Sequence, residues 1–236
     1  MRLSLSVSTA RDVYWRRLCE SLAGNAVDFE VIFVGPLGAG IERLSVPARF
    51  IDVPVSVPPP RCWEIGARAA LGELLAFGCD DFVFSPGFLD AVAAEAAKSH
   101  HRFDMFTARY IDNGVDSLEH QRIRGGGPDM PLLPLGGFAF TEAHHAIGGI
   151  DRRFRYAFWD VDLYMSMCEA GGRTTLIEGH ECHEQDNFKH ALSERPVRQA
   201  DEELLGAMWP HPVHPGMRRA LPRERWEDWE AIRAAV

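Results

Sequence analysis

The feature that most constrains this chain is the order of its apolar segments over the first hundred residues. "LSLSV" alternates polar and apolar residues, as a half-buried strand does. "VYWRRLCESLAG" carries helical spacing and stops at a glycine. "DFEVIFVG" is a compact apolar run closed by Gly-Pro, the pattern of a buried strand, and "RFIDVPVSVPPP" is a short strand running into a proline-rich loop. "CWEIGARAALGELLAFG" begins as an Ala-rich helix and passes into apolar residues; "DDFVFSPGFLDAVAAEAAKSH" reads as a strand end, a turn and a helix with Pro86 near its start. A β-α-β-α-β order at this spacing predicts a mainly parallel, doubly wound α/β sheet flanked by helices.

The second half is looser. "FDMFTARYID" predicts a strand, "GGFAFTEAHHAIGGI" a strand and a short helix, "WDVDLYMSMCEAGG" a helix and "RTTLIEG" a strand. Between the first two, residues 114–137 hold a Gly triplet and several prolines, the pattern of a mobile loop. Residues 1–195 form the expected main domain. Residues 196–236 form a C-terminal extension packed on it, with helices at "ADEELLGAM" and "RERWEDWEAIRAA".

Composition removes several classes. The 236 residues are 46% hydrophobic and 25% charged, ordinary for a folded domain. No run approaches the roughly 18–20 apolar residues of a membrane span. The N-terminus turns polar too soon for a signal peptide, so a cytoplasmic chain is expected, with peripheral attachment at the inner membrane face as a secondary expectation. Five scattered cysteines without a CxxC pair suggest neither a disulfide framework nor a zinc ribbon. A formal net charge of -9 argues against non-specific nucleic-acid binding.

Three clusters bear chemistry. Asp80-Asp81 follows an apolar run, where a carboxylate pair serves either a turn or a divalent cation at the C-terminal edge of a sheet. Asp160 and Asp162 stand at a helix start, where they serve either the helix dipole or acid-base work. His180 and His183 follow a strand and flank Cys182. His144, His145 and His190 are expected on the surface or in ordinary packing. "RIRGGGPD" offers backbone amides and arginines to a phosphate.

Taken as an ordered set, these segments resemble the family 2 inverting glycosyltransferases of GT-A fold. "LSLSVSTARDVYWRRLCESLAGNAVDFEVIFVG" is similar to the family's opening strand, helix and strand. "RCWEIGARAALGELLAFGCDDFVFSPGFLD" is similar to its run ending in the acidic DxD and Pro-x-x-Leu, and "AIGGIDRRFRYAFWDVDLYMSMCEAGG" to its Gly-Gly-Phe-Asp-Glu and Glu-Asp-x-Asp-Leu segments. The resemblance covers residues 3–190. It implies transfer of a sugar, with inversion, from a nucleotide-diphosphate sugar to a glycan or lipid-linked acceptor, as in polysaccharide biosynthesis. UDP-sugars are the first expectation, with Mn²⁺ or Mg²⁺ as cofactor.

By the same resemblance Asp160 is the general base and Asp81 a metal ligand, with His183 as a second ligand and His180 its fallback. Thr9, Arg61, Asp80, Gly136 and Gly137 line the donor. Asp162 and Asp151 support the acceptor side or the local structure. The loop at 125–127 would order over the donor, and Trp209, Trp226 and Trp229 would stack on sugar or pack. The chain departs from the family pattern at Cys79 (the first Asp of DxD), Gly35-Pro36, Glu64, Arg152 and Trp159. These departures support the alternative of a catalytically degenerate member that binds nucleotide or glycan. A nucleotidyltransferase, the third reading, needs a glycine-rich loop after the first strand, and "SVSTARDVYW" has no glycine.

Overall fold

The structure, a computed structural model, describes residues 1–36, 41–118, 132–184, 195–210 and 217–226. The loop at 125–127, His190 and Trp229 lie outside the described residues.

Among the described residues, nine strands form one sheet in the order β3-β2-β1-β4-β8-β6-β9-β5, with β7 paired to β6. β1 (Arg2–Ser8), β2 (Asp28–Gly35), β3 (Ala48–Asp52) and β4 (Leu74–Cys79) are mutually parallel. They alternate with α1 (Trp15–Leu22) and α2 (Pro59–Ala69) as the sequence pattern predicts. The other half is mixed. β8 (Phe138–Phe140) runs antiparallel to both β4 and β6 (Met105–Asp112). β9 (Thr174–Glu184) is parallel to β6 and antiparallel to β5 (Phe82–Phe84). β7 (Val115–Asp116) closes a hairpin on β6. Parallel pairing is thus confined to the first half and the β6–β9 pair, because β8 enters between β4 and β6 in the reverse sense.

Two helical layers cover the sheet. α1 presents Trp15, Leu18, Cys19 and Leu22, one face at helical spacing, to the core under β1 and β2. α3 (Phe88–Ala96) extends that layer with Phe88, Leu89 and Val92. On the other face lie α2, α4 (Thr141–Ile147), α5 (Trp159–Glu169) and α6 (Arg195–Met208).

β1 is not half-buried. Ser4 and Ser6 are as enclosed as Leu3 and Leu5, because α2 covers the second face. Ser4 donates to Glu30 at 2.8 Å and accepts from the Gly72 amide, and Ser6 donates to the Trp63 carbonyl. The small hydroxyls allow close approach of the helix: a Cβ on Gly66 would collide with Ser6 Oγ. Parallel strands under helices are enclosed on both faces, so an alternating pattern here encodes packing distance rather than exposure.

Three further boundaries differ from the sequence reading. α2 begins at Pro59-Pro60, since proline fits a first helical turn whose amides lack partners. β9 continues through "HECHE" to Glu184 because β5 and β6 flank it over that stretch. Residues 217–226 are an extended strap without helix, held by side-chain ion pairs and by backbone bonds from the Ala220 amide to Met208 and from the Arg152 amide to Glu224.

Candidate active site

The C-terminal ends of β1 and β4 lie side by side, Ser8 paired with Cys79. Chain connections leave in opposite directions there, and ligands of open α/β sheets bind in that crevice. Asp80 and Asp81 form the turn between β4 and β5, yet each is only 3% exposed. A turn explains their position but not their burial, which requires partners.

Asp80 has a complete set. Its Oδ2 accepts from Thr9 Oγ1 at 2.9 Å and from the amides of Ala10 and Arg11, and its Oδ1 accepts from Arg11 Nη2 at 2.6 Å. Thr9 is in turn fixed by Trp15 Nε1, which donates to its hydroxyl at 2.7 Å, and by the Arg11 amide. The Thr9 hydroxyl thus uses its donor and both acceptor positions inside the protein. Asp81 is half-satisfied: Oδ2 accepts from Arg11 Nη2 at 2.9 Å, and Oδ1 is buried without a hydrogen-bond partner.

Glu184, at the end of β9, completes an acidic corner. Tyr110 donates its phenol to the Glu184 carboxylate. Cys79 Sγ, an Asp81 oxygen and a Glu184 oxygen all lie within 4.8 Å of one another. Burial, reinforced by the Asp81 charge and opposed by Arg11, pushes Glu184 up to about 7. Burial likewise raises Asp81 despite Arg11. Burial first, then the neighbouring carboxylates, raises the Cys79 thiol well above its ordinary range.

Asp160 stands in the first turn of α5, near enough for its charge to act on Cys79 and on Tyr164. Burial raises its carboxyl, against the opposing effect of backbone amides. The turn that presents it is strained: Phe158 caps the helix at φ +61°, a conformation costly for an aromatic residue. Asp201 of α6 holds that turn by accepting from the amides of Arg155, Tyr156 and Ala157. Trp159, on the same turn, packs against Trp63 in a tilted pair at 4.6 Å and meets Phe77 edge-on.

The other candidate residues divide by surroundings. Asp162 is fully buried and accepts from Trp209 Nε1 and Arg219 Nε, both at 2.9 Å, with Arg223 Nη1 at 2.8 Å. Asp151 accepts from Arg153, Arg219 and the Glu224 amide. Burial pushes Asp151 up, but these hydrogen bonds prevail and hold it at about 2. Together the two carboxylates tie the 217–226 strap to the α5 side of the sheet. Arg61, largely buried, lies 4.5 Å under the Trp226 ring. Trp209 is core.

Gly136 and Gly137 serve close packing. Gly136 sits at φ +63°, where a Cβ would come 2.6 Å from Cys182 Sγ, and a Cβ on Gly137 would strike the Phe106 carbonyl. His183 shares its Nε2 with Glu181 at 2.8 Å, and His180 pairs with Ser85. His144 is buried rather than on the surface, bonded to Glu64, which also accepts from Arg68 and the Ile150 amide.

Sequence reasoning missed Arg11, Tyr110 and Glu184. A signal existed for the last. If the strand continues through "HECHE", period-2 alternation puts Cys182 and Glu184 on one face and Glu181 and His183 on the other. Tyr110 and Arg11 carried no local signal.

The Asp81 corner fits a divalent cation by its chemistry: an enclosed, unpartnered carboxylate oxygen with a second carboxylate and a sulfur in reach.

No family model matches the chain, and no curated protein matches it in sequence. Solved structures do match in shape. S. aureus TarS 1-349 in complex with UDP-GlcNAc superposes with a TM-score of 0.62 at 14% identity, over 79% of this chain and 60% of that one. Another crystal structure of S. aureus TarS 1-349 gives 0.59 at 16% identity, over 77% of this chain and 60% of that one. A crystal structure of S. aureus TarS gives 0.61 at 16% identity, over 87% of this chain and 43% of that one. The chain shares the fold of these TarS structures. It spans 60% of the length of TarS 1-349, so the likeness concerns architecture. Among the described residues no helix is long and apolar enough to cross a membrane.

Proposed function

We propose that this chain is an inverting glycosyltransferase of the GT-A, family 2 type, taking a sugar from a nucleotide-diphosphate donor to an acceptor hydroxyl. The observation that carries the reading is the enclosed Asp80-Asp81 pair at the β1–β4 crevice, faced by Glu184 and with Asp160 nearby. The UDP-GlcNAc complex of TarS, alike in fold, supports a UDP-sugar as donor.

In this reading Asp80 is a positioning residue. It fixes Thr9, the residue 10–11 amides and Arg11 around the end of β1, and so shapes the floor of the nucleotide crevice. Arg11 holds a permanent positive charge beside the diphosphate position. Asp160 accepts the proton of the acceptor hydroxyl as its oxygen attacks the anomeric carbon. The bond from that carbon to the diphosphate oxygen breaks on the opposite face, and the electron pair leaves with the diphosphate. A carboxylate of raised proton affinity suits this role, since base strength grows with pKa. A divalent cation held at Asp81 would, when bound, neutralise charge on the leaving diphosphate. The strap at 217–226 and Trp226 flank the crevice on the α2 side and would shape the acceptor side, for a glycan or lipid-linked acceptor.

A second reading, a nucleotide- or glycan-binding protein without turnover, is favoured by Arg11 spanning both carboxylates and by Trp159 packed against Trp63. Thermal-shift measurements with UDP, GDP, dTDP, ADP and CDP, each with Mn²⁺ and with chelator, separate the two together with an assay for nucleotide release from the matching sugars. A metal-dependent shift with one nucleotide, plus release of that nucleotide, is the result expected. Binding without release supports the second reading, and no binding of any nucleotide refutes the transferase reading and leaves the non-catalytic one.

A further inference from the structure

Three groups at the acidic corner come from separate elements: Cys79 from the end of β4, Asp81 from the β4–β5 turn and Glu184 from the end of β9. Their ligand atoms lie within 4.8 Å of one another. Two observations set this corner apart from an ordinary acidic cluster. Asp81 is 3% exposed, and its Oδ1 has no hydrogen-bond partner although Oδ2 is taken by Arg11. Glu184 is held in place by Tyr110, so its carboxylate is oriented before any ligand arrives.

We propose that Cys79, Asp81 and Glu184 form a three-ligand sulfur–oxygen site for a divalent transition cation of the Co²⁺ or Zn²⁺ class, and that this site discriminates against hard cations such as Mg²⁺. The proposal names the cation class for the transferase reading above and rests on that reading for its purpose, while its geometry stands by itself. Hard cations such as Mg²⁺ and Ca²⁺ take oxygen shells, whereas a thiolate selects softer ions. Three protein ligands leave coordination positions open, as sites that act on a substrate do. On binding, the Cys79 S–H proton leaves to solvent and Sγ ligates as thiolate. His183 is not part of this cluster: alternation along β9 sets it on the face opposite Glu184, where its Nε2 meets Glu181. The cysteine that breaks the DxD pattern is thus a substituted ligand rather than a lost one.

The test uses the full chain stripped by chelator and titrated with Co²⁺ alone, without nucleotide. The wild type is expected to develop visible cobalt bands together with a sulfur-to-cobalt charge-transfer band. Cys79→Ser removes the charge-transfer band. Glu184→Gln keeps the band but weakens Co²⁺ affinity by about tenfold or more, and His183→Ala leaves both unchanged. Mg²⁺ in about hundredfold excess fails to displace Co²⁺. Should Cys79→Ser fail to fold, X-ray absorption of the Co²⁺-loaded wild type reports directly whether one sulfur is in the shell. A wild type without the band, a band that survives Cys79→Ser, or a cobalt shell without sulfur overturns the proposal. Because no nucleotide is present, the outcome is independent of turnover. A sulfur-ligated cobalt site with neither UDP binding nor release would sink the transferase reading and leave the site standing; release without the band would do the reverse.

Discussion

Replacing Asp162 by alanine separates a structural carboxylate from Asp160, the proposed catalytic base two residues away. Asp162 is fully buried, accepts from Trp209 and Arg219, and forms an ion pair with Arg223, so three partners depend on it. Each buried donor left without an acceptor costs about 1–3 kcal/mol. The three share one carboxylate, so their costs do not add. Breaking a buried ion pair by removing one partner costs about 3–5 kcal/mol as a whole, and that is the expected loss. Against a total stability of about 5–15 kcal/mol this is a large fraction. At roughly 2–4 °C per kcal/mol for a chain of this size, the melting temperature falls by about 6–20 °C. Urea unfolding followed by circular dichroism measures it, with Glu178→Ala, an exposed carboxylate, as a control expected within about 0.5 kcal/mol of wild type. A loss below about 1 kcal/mol for Asp162→Ala would refute the reasoning, because it would mean that water reaches the arginines once the carboxylate is gone.

Asp160→Asn should lower transfer by about 10²–10⁴-fold with the melting temperature held, since its burial already disfavours the charge it loses; nucleotide release and a thermal melt check the two halves. For Asp151 the folded value of about 2 lies below the ordinary unfolded value of about 3.9, so the native state binds fewer protons. Its contribution is therefore complete above about pH 4–5 and lost as pH falls through about 2, and acid unfolding of Asp151→Asn should lack that part of the wild-type slope. Gly136→Ala should cost about 2–4 kcal/mol by equilibrium unfolding, from a left-handed alanine and a Cβ driven to 2.6 Å from Cys182 Sγ.

Much of the parallel half of the fold was legible in sequence, because helices over a parallel sheet demand compact apolar strands and one-sided helices in strict order. The failures have physical causes. Serines in β1 looked solvent-facing, yet they are the small residues that admit α2. The strand at "RTTLIEG" is expected to end before "HECHE", yet two neighbouring strands extend it as β9. The second half of the sheet mixes directions because β8 is a three-residue strand whose sense nothing local dictates.

The sequence by itself determined the alternating architecture, the placement of Asp80-Asp81 after a buried strand and of Asp160 at a helix start, all of which follow from residues close together in the chain. Only the tertiary structure decided what those carboxylates meet. Arg11 reaches Asp80 across 69 residues and Tyr110 reaches Glu184 across 74, through strand register rather than local pattern. Asp162 differs from Asp160 by two residues of one helix, about 200° of rotation. That rotation turns one carboxylate into a buried anchor for the 217–226 strap, and leaves the other, in a strained turn, within electrostatic reach of Cys79 at the end of β4.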